Sequence, residues 1–248
     1  MSKDLFSKQS DIYARYRPDY PSGLIDYILQ FVSQHNKVWD CATGNGQAAI
    51  MLASHFQLVQ ATDISEKQLL NATPHPRIHY SIEAAENTTF PDNSFDLVTV
   101  AQAYHWFNFT AFHEEVKRVV KPNGIIAIWG YGLVTSEIDQ LNTKIETFYS
   151  ITVGPYWDPE RKFIDDHYRT IPFPYVELPP KEFFIEKRWS LDDLTGFLNS
   201  WSSVQHFIKA NAYNPVDRLK KDLQMEWPAD DFITLRFPLF LRLGRILG

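Results

Sequence analysis

"VWDCATGNGQ", Val38 to Gln47, places an acid, three small residues and two glycines directly behind an apolar run. An apolar strand that runs through a bare backbone turn into a helical pattern is the arrangement by which open α/β sheets bring a ligand to the carboxyl end of a strand. The question is which ligand. Both the neighbouring elements and the spacing inside the turn bear on it.

Working outward, "KVWDCA" predicts a strand and "NGQAAIMLASHF" a helix with Ala48, Met51, Leu52 and Phe56 on helical spacing. "LVQATDIS" predicts the next strand, and Ser65 opens the helix of "SEKQLLNAT" as its N-cap. "RIHYSIEA" and "FDLVTVAQA" are further strands; "TAFHEEVKRVV" is an amphipathic helix stopped by the turn "KPNG", and "GIIAIWGYG" is a strand again. Strands separated by helices require crossovers, hence a mostly parallel sheet with helices on both faces. After Gly132 the rhythm changes to a helical and then Pro-rich stretch ending in "TIPFPYVELPP". "KEFFIEKRWS" follows as a strand, then "LDDLTGFLNSWSSVQHFIKA" and "VDRLKKDLQMEW" as helical segments. "DFITLRFPLFLRL" closes the sheet, with Pro238 confining it to an edge or bulge.

The 248 residues suit one domain with an insertion, and 44% hydrophobic content supplies a sizeable core. A formal charge of −6 with scattered Lys and Arg argues against a nucleic-acid surface. The single cysteine, Cys41, excludes a disulfide framework and a multi-thiolate metal site. No apolar signal core opens the chain and no run approaches the ~20 residues of a membrane span, so a soluble, cytoplasmic protein is expected.

Two readings of the glycines compete. Gly44, Gly46 and Ala49 fit G-x-G-x-x-A with Asp63 at the acidic position further on, which is the dinucleotide fingerprint. That fingerprint normally brings its first glycine straight off the strand, whereas here Asp40 ends the strand and precedes Gly44. A carboxylate at that point opposes a pyrophosphate and favours a ligand that carries an ammonium group.

The acid-then-glycine order resembles the first motif of the class I S-adenosylmethionine-dependent methyltransferases, with Ala42 standing where the first glycine of G-x-G-x-G would be. "ATDIS", "AENTTFPDNSFDLVTVAQAYHWF" and "EEVKRVVKPNGIIAIW" resemble the segments that follow in that family. A narrower resemblance, to the trans-aconitate methyltransferase-like branch of the UbiE/COQ5-like superfamily, rests on "YARYRPDYP", "AQAYHWF" and "LTGFLNSWSSV". The resemblance implies a Rossmann-like, mostly parallel seven-stranded sheet with a helical cap. It divides the chain into a segment at 1–36 covering the cofactor, a cofactor-binding core at 37–132, a cap or specificity insertion at 133–180, and completing helices and strands at 181–248.

It also implies site roles. S-adenosylmethionine is the expected cofactor: Asp63 accepts the ribose hydroxyls, Asp40 lies near the methionine amino group, and Ala85 and Glu86 form the adenine turn. Ile64 and Gln102 join the cofactor-binding set with Ala42, Gly44 and Gly46, where glycine permits close backbone approach. Arg17 clamps the methionine carboxylate, Tyr13 and Tyr16 wall the transferable methyl, and Trp106 walls the cofactor or the acceptor. His105, past the fourth strand, is either a general base for the acceptor or an orienting group. Trp129, Tyr131 and Trp201 are candidates for the pocket wall or the core. The expected partner is a small-molecule acceptor, with no nucleic acid, no membrane and a monomer favoured. The alternatives are a nicotinamide-dependent oxidoreductase and a non-catalytic S-adenosylmethionine-binding module.

Overall fold

A computed structural model describes residues 18–228 and 231–247. Five parallel strands build the first part of the sheet: β1 (Lys37–Cys41), β2 (Leu58–Asp63), β3 (Ile78–Ile82), β4 (Phe95–Ala101) and β5 (Val120–Tyr131). Three strands joined by antiparallel pairing complete it: β6 (Val176–Glu177), β7 (Phe183–Trp189) and the 13-residue β8 (Ile233–Arg245), which alone runs against the others. The order is β3-β2-β1-β4-β5-β8-β6, with β7 on the same side of β8 as β6. Strand order therefore reverses between β1 and β4, and that is where an open α/β sheet leaves a crevice for a ligand.

The central strands read as continuous apolar runs because each face is buried in a separate core. Val38, Leu97, Ile125, Ala127 and Trp129 point into one core, while Trp39, Val98, Val100, Ile126 and Ile128 point into the other. This is the alternation that a strand imposes on its side chains, applied to a sheet covered on both sides. The first core is covered by α1 (Ser22–Leu29), α2 (Gln47–Ala53), α5 (Asp139–Thr147), α7 (Leu191–Asn199), α8 (Ser202–Asn211) and α9 (Pro215–Gln224). The second is covered by α4 (Phe109–Val119) and α6 (Arg161–Asp165); the short α3 (Glu66–Leu70) follows β2. Ser65 caps α3 as its sequence predicts, accepting from the Gln68 N–H.

The mostly parallel sheet gains a short eighth strand: β6 lies inside "TIPFPYVELPP", and two residues are too few to leave a periodic pattern. Three local expectations are corrected. The "KPNG" turn is an irregularity within β5, where the pairing with β4 jumps from Val120 to Ile125 and Asn123 takes a left-handed φ of 63°. The run from Leu191 to Ala210 breaks into α7 and α8, with Trp201 in extended conformation at the N-cap of the second. Pro238 sits in an interior strand. Its carbonyl accepts from the Gly132 N–H, and in an antiparallel strand a residue's N–H points the same way as its C=O. The missing N–H therefore faces the region just past the end of β5, and the β7 ladder loses nothing.

Candidate active site

The turn after β1 is built from unusual backbone. Ala42, Gly44 and Gly46 all have positive φ, at 53°, 58° and 84°. Glycine carries that geometry without strain, and for an L-residue such as Ala42 it costs of order 1–2 kcal/mol. Gly46 is further constrained by Tyr80 on β3: a Cβ added there would lie 2.3 Å from the Tyr80 hydroxyl oxygen. That hydroxyl donates to the Thr73 carbonyl at 2.9 Å.

Acids surround this turn. Asp40 is buried; its Oδ2 accepts from the Thr43 hydroxyl at 2.5 Å and its Oδ1 from the Thr99 hydroxyl at 2.8 Å. Asp63, at the tip of β2, accepts from the Gly44 N–H and the Ser65 N–H, both at 2.9 Å. These two bonds fix the plane of the carboxylate and tie the glycine turn to β2. Glu86 accepts from the Asn108 N–H at 2.9 Å. The Cys41 thiol registers the whole cluster. Burial pushes its pKa well up, and Asp40, Glu86 and Asp63 push it further in the same direction. Ala85 is buried beside Glu86, and Ile64 is partly exposed beyond Asp63. The next turn is held from below by Glu115, which accepts from the Thr88 N–H and hydroxyl, while Arg118 donates to the Thr88 carbonyl.

On the other side of the crevice the chain leaves β4 through Gln102, left-handed at φ 57°. The Gln102 side chain accepts from the Tyr131 N–H at 2.9 Å, clamping the end of β4 to β5. The chain then enters a 3-10 turn, Tyr104–Trp106, which delivers His105 and Trp106 into a cavity. About 740 Å³ of space, part of it continuous with solvent, lies here between Gln102, His105, Trp106, Tyr131 and Leu133 on the sheet side and Trp157, Asp158, Arg161, Phe197, Trp201 and Ser202 from the helices.

His105 is a neutral imidazole in this setting. Burial drives its pKa down to about 3, and the nearby Arg161 guanidinium pushes the same way. Its Nδ1 lies 3.0 Å from the Tyr168 hydroxyl. Burial raises that phenol's pKa, so it stays protonated. This contact holds the imidazole ring in place. The imidazole so held belongs to a residue that lines the cavity.

The cavity brings together three of the predicted site residues, Gln102, His105 and Trp106. Asp40, Ala42, Gly44, Gly46, Asp63, Ile64, Ala85 and Glu86 lie on the adjoining β1–β3 side of the crevice. Tyr13, Tyr16 and Arg17 fall outside the described residues. Trp129 is core, packed edge-on against Tyr20 at 5.6 Å, whereas Tyr131 and Trp201 reach the cavity. Sequence inspection missed Tyr80, Tyr168, Asp158 and Arg161. None has a local motif, because each acquires its role by packing against a residue distant in the chain.

An acid-tipped, glycine-turned crevice at a strand-order reversal, beside a cavity lined by His105 and Trp106, is an arrangement suited to a cofactor-dependent enzyme. The methyltransferase-domain family profile matches residues 39–128. A Dictyostelium discoideum protein assigned as a methyltransferase is 34% identical, over 98% of this chain and 95% of its own. The structure of an assigned type II methyltransferase from Anaeromyxobacter dehalogenans superposes with a TM-score of 0.87 at 33% identity, covering 94% of this chain and 99% of that one. The ubiquinone/menaquinone biosynthesis C-methyltransferase UbiE of Hydrogenovibrio crunogenus is 32% identical over 51% of this chain and 53% of its own. The chain belongs to the class I S-adenosylmethionine-dependent methyltransferases, which decides against the dinucleotide reading of the glycines. Its donor set fits that cofactor: clustered carboxylates suit an ammonium and a sulfonium, and would repel a pyrophosphate. Among the described residues, no helix is long and apolar enough to cross a membrane.

Proposed function

We propose that this methyltransferase acts on a small molecule and methylates a carboxylate oxygen, as in the trans-aconitate methyltransferase-like branch. The observation that carries this reading is the state of His105. With a pKa near 3 and its Nδ1 engaged by Tyr168, it is a poor general base at neutral pH. A phenol or alcohol acceptor would need one, whereas a carboxylate is ionised already. When bound, S-adenosylmethionine supplies a sulfonium-activated methyl: a carboxylate oxygen lone pair forms the O–C bond as the C–S electron pair returns to sulfur, leaving an ester and a neutral thioether with no proton to remove.

The chain's own residues would then bind, orient and dry the acceptor. Asp63 receives the ribose hydroxyls, Asp40 faces the methionine ammonium, Ala85, Glu86 and Ile64 border the adenine, and Gln102 and Trp106 border the reacting end. Residues 37–132 are the cofactor-binding core, and 133–180 are the specificity cap, completed by 181–248. His105 orients the acceptor. Orientation and exclusion of water are the expected sources of rate. We place the protein in the cytoplasm as a monomer. The test is calorimetry with S-adenosylmethionine, S-adenosylhomocysteine and NAD, followed by a methyl-transfer screen against carboxylic acids, phenols and amines. Binding of the first two ligands with transfer to carboxylates is expected; transfer to phenols or amines alone overturns the acceptor assignment.

A further inference from the structure

The cap supplies a charge that the methyl-transfer core does not account for. Arg161, at the start of α6, has a side chain only 17% exposed and lines the acceptor cavity. One edge of its guanidinium is committed: Nε donates to the Tyr149 hydroxyl at 2.8 Å and lies 3.4 Å from the Asp165 carboxylate. The group also lies over aromatic rings, 4.6 Å from the centre of Trp157 and 5.2 Å from that of Tyr149. These contacts hold the fork by its Nε side and its faces. Its two terminal nitrogens make no hydrogen bond to a described residue.

A guanidinium pre-oriented in this way matches a carboxylate bidentately, at a small entropic cost because it is already fixed. The rest of the cavity limits what that carboxylate can be attached to. Trp106, Trp157, Phe197 and Trp201 are flat apolar walls. Among the described residues, the other charged group on the lining is Asp158, whose Oδ2 accepts from the Ser202 hydroxyl at 3.0 Å. It would repel a second acceptor anion.

The geometry points to Arg161 as the residue that selects the acceptor, and to the acceptor as a monocarboxylic acid with an aromatic or otherwise apolar body, polycarboxylates being rejected by Asp158. This rests on the carboxylate reading above and narrows it. The aromatic walls exclude water around the pair, which strengthens the Arg161 contact and sharpens the penalty for an anion near Asp158. The Asp158–Ser202 pair remains able to accept a hydroxyl or amine donor on the same body.

The test uses the full chain loaded with S-adenosylhomocysteine and reads acid binding by calorimetry, so that it does not depend on turnover. The probes are aryl and alkyl monoacids from benzoate to indole-3-acetate, each paired with its amide and with a dicarboxylate of the same skeleton. Monoacids are expected to bind, amides and diacids at least about tenfold more weakly. Arg161→Gln should weaken monoacid binding by about 10- to 100-fold, and Arg161→Lys should restore part of it, both at unchanged S-adenosylhomocysteine affinity. Asp158→Asn should raise diacid affinity relative to monoacid by about 3- to 10-fold. Retained cofactor affinity and melting temperature in each variant separate loss of the contact from loss of the fold. The inference is overturned if no monoacid binds, if amides or diacids bind as well as monoacids, or if Arg161→Gln leaves acid affinity unchanged. Failure of S-adenosylhomocysteine itself to bind would instead overturn the cofactor assignment. Transfer to polycarboxylates in preference to monoacids would leave the carboxylate reading standing and remove this one.

Discussion

Replacing Gly46 by Ala tests whether the glycine turn is shaped by Tyr80 as well as by its own backbone. The added methyl faces two separate costs. At φ 84° an L-residue is strained by roughly 1–2 kcal/mol. In addition, the new Cβ would meet the Tyr80 oxygen at 2.3 Å and its ring carbons at 3.1 and 3.2 Å, so the ring must move. Moving it breaks the 2.9 Å bond to the Thr73 carbonyl, worth about 1 kcal/mol. The sum is about 2–3 kcal/mol, which for a domain of this size lowers the melting temperature by roughly 5–10 °C. The assay is thermal unfolding of a four-member cycle: wild type, Gly46→Ala, Tyr80→Phe and both together. Removing the hydroxyl relieves the shortest contact, so Gly46→Ala should cost about 1 kcal/mol less in the Tyr80→Phe background than in wild type. Equal costs in the two backgrounds would refute the steric half of the reasoning. An unchanged melting temperature in Gly46→Ala would refute both halves.

Three further outcomes are expected. Asp63→Ala removes the acceptor of the Gly44 and Ser65 N–H groups as well as the proposed ribose acceptor; S-adenosylhomocysteine affinity should fall by about 10- to 1000-fold, read by calorimetry, in a protein that still unfolds cooperatively. Because the His105 pKa lies near 3, turnover with a carboxylate acceptor should show no limb around pH 6.5, and His105→Gln should raise KM more than it lowers kcat. A limb near pH 6.5 that disappears in the variant would establish a base after all. Stability should decline on acidification: the pKa values of His105 and His113 are depressed to about 3 and about 4 in the fold, chiefly by burial, but are ordinary in the unfolded chain. The unfolded state therefore takes up protons below pH 6.5 that the fold refuses, so this contribution is complete above 6.5 and lost progressively toward 4. Urea midpoints between pH 7.5 and 4.5 measure it, and a flat profile would contradict both burials.

The parts of the fold legible in the sequence are those governed by local periodicity. The central strands announce themselves because both faces are buried, so Val38 and Trp39 are both apolar although they enter different cores. Ser65 is legible as a cap because capping is a contact between residues three apart. Legibility failed where long-range pairing outweighed local preference. Pro238 reads as an edge residue, yet β8 is interior because its pairing passes from β7 to β5 near Leu239, and the absent N–H falls where the β5 ladder has ended. The single helical pattern from Leu191 onward hides the break at Ser200–Trp201, which the extended backbone of Trp201 makes in carrying its ring into the aromatic cluster with Phe148, Tyr149, Trp157 and Phe197.

The same distinction divides the site. Its proposed cofactor half is compact in sequence because the crevice of a doubly wound sheet is formed by the ends of successive strands. Asp40, Gly44, Gly46 and Asp63 occupy one β1–α2–β2 unit, and a residue's position within that unit is enough to predict its place. The acceptor half has no such rule. Arg161 is separated from His105 by α4, β5 and α5, and lies in a five-residue helix with no periodic signature. Tyr168 takes a left-handed φ of 60° and is fully buried, neither of which leaves a signal in the local sequence. A cap that changes acceptor can do so by exchanging a few such residues without disturbing the strand ends. On the proposed assignment, the cofactor chemistry is written in the part of the chain that is easiest to read, and the identity of the acceptor in the part that only packing reveals.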